Sequence, residues 1–154
     1  MEENDNHVKI LFRYYSDVLE EETLETMWAT IIDEEKGLYK IDNIPFYGPL
    51  IASDDIVFAE FNKSEQMLTY RETKENSGNS VVQVILMGDE IEINDVRKIF
   101  EDLDCQSERM SDKYFAMEIL AKTDYKIVRS KLDELQNKGL IGYAEPCLSE
   151  IHRY

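Results

Sequence analysis

This sequence contains few of the residues on which catalysis and metal binding usually depend. Its 154 residues include two cysteines and two histidines. Cys105 and Cys147 stand alone, without a Cys-x-x-Cys or Cys-His spacing, so neither a metal site nor a redox pair is predicted. His7 and His152 lie near the ends of the sequence, where we expect no buried general base and no Ser-His-Asp or Cys-His arrangement. The sequence therefore predicts no enzyme activity, no catalytic residue, no metal and no cofactor.

Long hydrophobic runs are also missing. No apolar stretch approaches the roughly 20 residues that a membrane-spanning helix needs. Residues 1–7 are acidic, whereas a signal peptide begins with basic residues followed by an apolar segment. We therefore expect a cytoplasmic protein that does not associate with membranes.

Basic residues are scarce: 17 Lys and Arg stand against 33 Asp and Glu, a formal net charge of −16. Such a surface repels nucleic-acid backbones and anionic membranes, and it attracts basic proteins over distances on the order of 10 Å. The hydrophobic fraction of 43% and the aromatic fraction of 10% exclude a disordered chain. These features favour a folded protein that binds a basic protein.

The acidic residues are unevenly distributed along the chain. Residues 1–79 carry 18 acidic and 7 basic side chains, a net charge of −11, whereas residues 80–154 carry 15 and 10, a net charge of −5. The change falls at the polar segment 74–80, which is rich in Asn, Ser and Gly and is typical of a linker or turn. The sequence predicts two domains, residues 1–79 and residues 80–154.

The first domain is predicted to consist of strands. Alternating or β-branched residues mark five segments: 8–15, 24–32, 38–41, 56–61 and 66–71. No long helical pattern fits between them. We expect a small, strongly bent antiparallel sheet or barrel, because closure removes exposed strand edges.

The second domain has the pattern of a βαββαβ unit. Strands are predicted at 81–87, 105–110, 114–121 and 140–148, and helices from about Ile93 to Leu103 and from Tyr125 to Leu135. Thr123 or Asp124 caps the second helix, and Gly139 follows its end. This order predicts a ferredoxin-like arrangement, so the whole chain is of the α+β class. Cys105 and Cys147 then lie on opposite edge strands, too far apart for a disulfide.

Three short motifs lie between Glu25 and Glu60. They read Glu-x-x-Trp-Ala from Glu25, Asp-Asn-Ile-Pro-Phe from Asp42, and Asp-Asp-Ile-Val from Asp54. With these motifs the sequence resembles a widespread bacterial family of uncharacterised domains. The resemblance covers roughly residues 8–148 and implies a small β domain followed by a ferredoxin-like domain, without an established activity. The family commonly has Gly-Asp where this chain has Asp54-Asp55, so the backbone there is expected to differ.

Trp28 is the only tryptophan, and we interpret it as a core residue of the first sheet in preference to a stacking platform. An exposed Trp28 would reverse this interpretation. The segment 42–46 is interpreted as a structural turn in preference to a binding loop, because Pro45 restricts Ile44 to extended conformations.

These observations predict an acidic, non-catalytic protein-binding module. The most concrete form is an immunity protein, or antitoxin, that neutralises a basic bacterial toxin such as a nuclease, since an acidic face accelerates encounter with a basic partner. The surface for the partner is expected on the first domain. Its candidate residues are Glu20, Glu21, Glu22, Glu25, Asp33, Glu34, Glu35, Asp54 and Asp55.

Two other functions remain open. The first is a small-molecule sensor, as some ferredoxin-like domains are, with its ligand near Gly88 and Asp89. The second is an accessory scaffold subunit without a ligand. RNA binding is disfavoured because the strand predicted at 81–87 has no aromatic residue and few basic residues lie nearby.

Overall fold

The structure is a computed structural model that describes residues 6–16, 20–46 and 50–154. The chain divides into two compact units, Met1–Ser77 and Gly78–Tyr154. Mostly antiparallel sheets and two helices make up these units. The predicted α+β class is therefore confirmed.

The first unit contains five strands that pair in chain order. Their bounds are β1 His7–Ser16, β2 Glu21–Asp33, β3 Leu38–Ile41, β4 Ile56–Asn62 and β5 Met67–Glu75. Neighbours in this order pair antiparallel. β5 also pairs with β1 in parallel, through Ile10–Leu68 and Leu11–Thr69, and this pairing closes the circle of five strands. The sequence predicted only antiparallel pairing.

Alternating residues of these strands form the core of the first unit, since side chains two positions apart lie on the same face of a strand. Ile10 and Phe12 of β1 lie opposite Met27 and Glu25 of β2. The fully buried members of this core are Ile10, Phe12, Met27, Ala29, Tyr39, Ile41, Ile51, Val57 and Ala59. The Phe12 and Tyr70 rings stack with centroids 4.8 Å apart.

The turn between β2 and β3 depends on Gly37. Its φ is +72°, and a Cβ atom there would lie 2.9 Å from the carbonyl oxygen of Ala59. The amide of Ala59 also donates to the carbonyl of Gly37 at 3.0 Å. This close approach to β4 requires a residue without a side chain.

The second unit contains four strands, two helices and a short 3-10 helix. Their bounds are β6 Ser80–Leu86, α1 Ile93–Glu101, β7 Ser107–Arg109, β8 Tyr114–Ile119, α2 Tyr125–Asn137, β9 Ile141–Cys147 and the 3-10 helix Glu150–His152. The strands form one sheet in the order β7-β8-β6-β9, with every neighbouring pair antiparallel. Each element lies where the hydrophobic pattern predicts it, although β7 is shorter than the predicted strand.

Apolar faces of both helices pack in the core of the second unit. Val96 and Phe100 of α1, and Val128 and Leu132 of α2, are fully buried with the apolar side chains of β6 and β8. Asp124, one of the two cap residues predicted from the sequence, caps α2 by accepting a hydrogen bond from the amide of Lys126.

Candidate functional site

The predicted acidic candidates at the two ends of β2 are surface residues. Glu20, Glu21 and Glu22 are exposed where β2 begins, and Glu34 and Glu35 are exposed in the turn after it. β2 is 13 residues long, so at about 3.3 Å per residue these two acidic clusters lie roughly 40 Å apart along the strand. The structure therefore brings the predicted residues into two separate clusters. Asp33 accepts a hydrogen bond from the amide of Lys36 and so stabilises the turn at the second cluster.

Glu25 has a different position from the other candidates. It lies on the inner side of β2, opposite Phe12. Its carboxylate accepts hydrogen bonds from the Tyr14 hydroxyl at 2.8 Å and from the Phe46 amide at 2.7 Å. Glu25 thus links β1, β2 and the loop after β3, and we assign it a structural role in place of partner contact.

Asp55 is not a surface residue, and its prediction as a partner-binding candidate is wrong in this respect. Its side chain is buried and accepts hydrogen bonds from the amides of Ser77 and Ala52, at 2.8 and 3.0 Å. Burial raises the pKa of this carboxyl group, and the two amide donors offset part of that rise. Asp55 organises the turn before β4, whereas its neighbour Asp54 is exposed with φ +67°.

Trp28 is not in the core, which corrects the interpretation from the sequence. Met27 and Ala29 occupy the inward positions of β2, so alternation directs the indole outward, and 45% of the residue is exposed. Its amide is held by the Asn43 side chain and its carbonyl by the Asp42 amide. The backbone under the indole is therefore fixed by the segment 42–46, which supports the structural interpretation of that segment.

Trp28 belongs to a row of exposed apolar side chains on the outer face of β2. Leu24 stands four residues before it on the same face, with an exposed fraction of 53%. Ile32 stands four residues after it, at a shift in register between Ile31 and Asp33, with an exposed fraction of 51%. We call these three residues the Trp28 row. One acidic cluster lies next to each end of the row. Glu22 stands two residues before Leu24, and Glu34 stands two residues after Ile32.

Residues of β1 border the Trp28 row. Lys9 lies opposite Trp28, with its ammonium group 5.1 Å from the ring centroid. Arg13 lies opposite Leu24 and pairs with Glu65, and Tyr15 lies opposite Glu22 and is exposed. Trp, Tyr and Arg are the residues most enriched among those that dominate binding energy in protein interfaces. Sequence reasoning missed this surface because it assigned the tryptophan to the core.

Gly88 and Asp89, where the sequence placed a small ligand, form hydrogen bonds with Lys113. The ammonium group of Lys113 donates to the carbonyl of Gly88 at 2.7 Å and to the carboxylate of Asp89 at 2.6 Å. No atom lies within 4 Å of where a Cβ of Gly88 would be, so a close backbone approach does not explain this glycine.

His152 is buried, which corrects the expectation that both histidines lie outside the core. Its Nδ1 lies 2.7 Å from the hydroxyl of Ser80, which is itself fully buried. The 3-10 helix brings His152 back against the start of β6, a contact between residues 72 positions apart that local sequence patterns do not reveal. A serine hydroxyl on Nδ1 with no carboxylate bound to the ring among the described residues is not a catalytic triad.

Within the described part of the chain, no group of three or more His, Cys, Asp or Glu side chains lies close enough together to hold a metal ion. None of the helices in residues 6–16, 20–46 and 50–154 has both the length and the apolar character needed to cross a bilayer.

Comparisons with known proteins agree with this architecture. A solved structure described as a hypothetical protein from Neisseria gonorrhoeae has 21% identical residues and a TM-score of 0.79, with 92% of this chain and 95% of that chain covered. At this identity the likeness concerns the fold alone. A search of curated proteins finds no match. The profile of a family described as a domain of unknown function, DUF4265, matches residues 25–143.

Proposed function

Since this chain belongs to the DUF4265 family, whose domain has no known function, we propose from its own geometry that it is a non-catalytic module that binds a basic protein. The observation that carries the proposal is the exposure of Trp28, together with Leu24 and Ile32, on the outer face of β2. A large aromatic side chain on a fixed backbone loses little entropy on binding and buries much apolar area. Its exposure in the unbound chain is explained if a partner covers it.

The surroundings of Trp28 define the chemistry of the partner. The Trp28 row supplies an apolar centre, and the acidic clusters 20–22 and 34–35 lie beyond its two ends. A matching partner surface has an apolar patch with basic residues on both sides. The acidic clusters would accelerate encounter and set orientation, while the apolar row would slow dissociation.

A bacterial toxin such as a nuclease is the kind of basic partner that fits best. Enzymes that act on nucleic acids carry basic surfaces for phosphate, and an acidic protein can cover such a surface. The net charge of −16 for the chain and −11 for residues 1–79 supports this form of the proposal. Under it, the protein is a cytoplasmic immunity protein or antitoxin that acts by binding alone.

We also propose the finer architecture that the sequence predicts, with domains at residues 1–79 and 80–154. Support for a ferredoxin-like second domain comes from the strand order β7-β8-β6-β9, with α1 following β6 and α2 following β8. This order places each helix in a connection between two strands separated by a third.

The experiment that tests the proposed function compares three immobilised proteins: wild type, Trp28→Ala and Phe61→Ala. Phe61 is the matched control because it is an exposed aromatic residue of the same unit on β4. Each protein is offered a bacterial lysate, and the retained proteins are identified and quantified by mass spectrometry. We expect one basic protein to be retained by wild type and Phe61→Ala and to be lost with Trp28→Ala.

The captured protein is then purified and mixed with wild type at increasing ratios. Inhibition of its activity should reach its limit near one equivalent, because binding without turnover is stoichiometric. Retention that does not depend on Trp28 would contradict the proposed surface. Neutralisation by much less than one equivalent would contradict a non-catalytic role, and a capture experiment that yields only small molecules or permanent subunits would favour the sensor or the scaffold.

A further inference from the structure

A small cavity in the second unit is lined by side chains whose buried hydrogen-bond donors have no acceptor among the described residues. It measures about 220 Å³ and lies beside α2. Its lining includes Tyr125, Arg129, Asp133, His152 and Tyr154. Pockets for drug-sized ligands measure about 300–1,000 Å³, so this cavity suits a smaller molecule.

His152 contributes one of these donors. The hydroxyl of Ser80 accepts a hydrogen bond from the amide of Ser149 at 2.8 Å and lies 2.7 Å from Nδ1 of His152. The hydroxyl of Ser149 also lies near Nδ1, at 3.3 Å. If either serine hydroxyl donates to Nδ1, the ring proton resides on Nε2. Nε2 is buried and has no partner among the described residues. Because Nδ1 faces these serine hydroxyls, Nε2 lies on the other side of the ring.

Arg129 contributes the second donor. Its guanidinium group lies 3.5 Å above the ring centroid of Tyr154. The Nε atom is buried and, within the described part of the chain, has no hydrogen-bond partner. No carboxylate of those residues forms an ion pair with Arg129. A buried donor without an acceptor is destabilising, so an acceptor at this position would be stabilising.

The nearby carboxylates determine which acceptor fits. Asp133 accepts a hydrogen bond from the Tyr143 hydroxyl at 2.6 Å, and Glu145 accepts hydrogen bonds from the hydroxyls of Tyr125 and Tyr154. Lys126 lines the cavity together with Arg129 and Asp133. A group with one negative charge meets less repulsion from Asp133 and Glu145 than a doubly charged phosphate does.

We propose that this cavity binds the carboxylate group of a small molecule, held by the Nε2 donor of His152 and the Nε donor of Arg129. A carboxylate offers two oxygens for two separate donors, and hydrogen bonds from a charged donor to a carboxylate are among the strongest in proteins. This site is independent of the Trp28 row. It lies in the other unit and uses different chemistry.

The test is a titration of the full chain, observed by NMR through the imidazole nitrogens and protons of His152. Sodium acetate is the carboxylate probe, sodium phosphate the doubly charged probe and sodium chloride the control for ionic strength, all at about pH 8. We expect a proton on Nε2 before ligand is added. We then expect a saturable shift with acetate, a weaker response to phosphate and none with chloride.

Two variants that each remove one positive charge distinguish a specific role of Arg129 from a general effect of charge. Arg129→Gln should weaken acetate binding by about tenfold or more, because a charge-assisted hydrogen bond is lost. Lys122→Gln removes an exposed cation outside the cavity and should leave binding within about twofold of wild type. A proton on Nδ1, tighter binding of phosphate than of acetate, equal effects of acetate and chloride, or equal effects of the two variants would each overturn the proposal.

Discussion

The two cysteines differ in their surroundings and should differ in reactivity. Cys105 is buried, and burial, together with the charges of Asp104 and Glu118, raises the pKa of its thiol to about 12. Cys147 is half-buried at the end of β9. Because only the thiolate reacts, we expect iodoacetamide at about pH 8 to modify Cys147 and to spare Cys105. Peptide mass spectrometry of the folded protein checks this, and Cys147→Ser should abolish labelling; modification of Cys105 at a rate similar to Cys147 would contradict it.

Asp55 should matter more for stability than any exposed acidic candidate. Asp55→Ala leaves the amides of Ala52 and Ser77 without their acceptor, and we expect a loss of about 2–4 kcal/mol in the free energy of unfolding. Glu35→Ala, at an exposed position, should change that free energy by less than about 0.5 kcal/mol. Urea unfolding of both variants measures the difference. Equal effects of the two substitutions would show that Asp55 does not organise its turn.

The raised pKa of Asp55 predicts a direction for its pH dependence. A carboxyl group whose pKa is raised in the folded state, above the ordinary 3.8, stabilises the fold while it is protonated, and this contribution is lost as the pH rises through the raised value. The stability of wild type relative to Asp55→Asn, which does not titrate, should therefore fall as the pH rises above 3.8. Unfolding midpoints measured at a series of pH values test this. A relative stability that increases over that range would contradict the effect of burial.

The errors in placing individual residues from the sequence have one physical cause: burial depends on which strands pair and on partners distant in the chain. In β2, the even positions carry Leu24, Trp28 and Ile32 and the odd positions carry Met27, Ala29 and Ile31, so both faces appear apolar and alternation alone does not identify the inner one. Pairing with β1 and β3 decides which face points inward. The burial of His152 and Asp55 likewise depends on partners distant in the chain, which local patterns do not encode.

The strands and helices were more accessible to prediction than these individual residues. The caps of α2, with Asp124 at its start and Gly139 after its end, follow from local hydrogen bonding and from backbone conformation. The alternation of side chains in the first unit is also a local pattern, and it predicted the five strands. The parallel pairing of β1 with β5 was not predicted, because it joins residues almost 60 positions apart and depends on how far the sheet bends.

The acidic charges in the turn between β2 and β3 should affect the rate of association with the basic partner without affecting the fold. Changing Glu34 and Glu35 to Lys reverses the charge of one acidic cluster while leaving Asp33 and Gly37, which shape the turn, unchanged. We expect slower association with the captured basic protein, a weaker dependence of the association rate on salt, and little change in the rate of dissociation. Stopped-flow measurements at several salt concentrations check this. An association rate equal to that of wild type would place the partner away from this end of β2.

Under our account, the acidic residues and the exposed Trp28 belong to one binding surface. A net charge of −16 attracts many basic molecules, so charge alone confers little specificity. The Trp28 row supplies the specific apolar contact, and the backbone hydrogen bonds to Asn43 and Asp42 hold it in place without a partner. The most informative experiment therefore observes the indole itself, in the free protein and in the complex.

Because Trp28 is the only tryptophan, replacement with 5-fluorotryptophan gives a single ¹⁹F NMR signal from this surface. In the free protein we expect the signal to broaden readily when a soluble paramagnetic agent is added. Titration with the captured basic protein should shift the signal, protect it from that agent and reach its limit near one equivalent. A signal that is protected in the free protein, or that stays unchanged while the partner binds, would contradict the assignment of the Trp28 row as the binding surface.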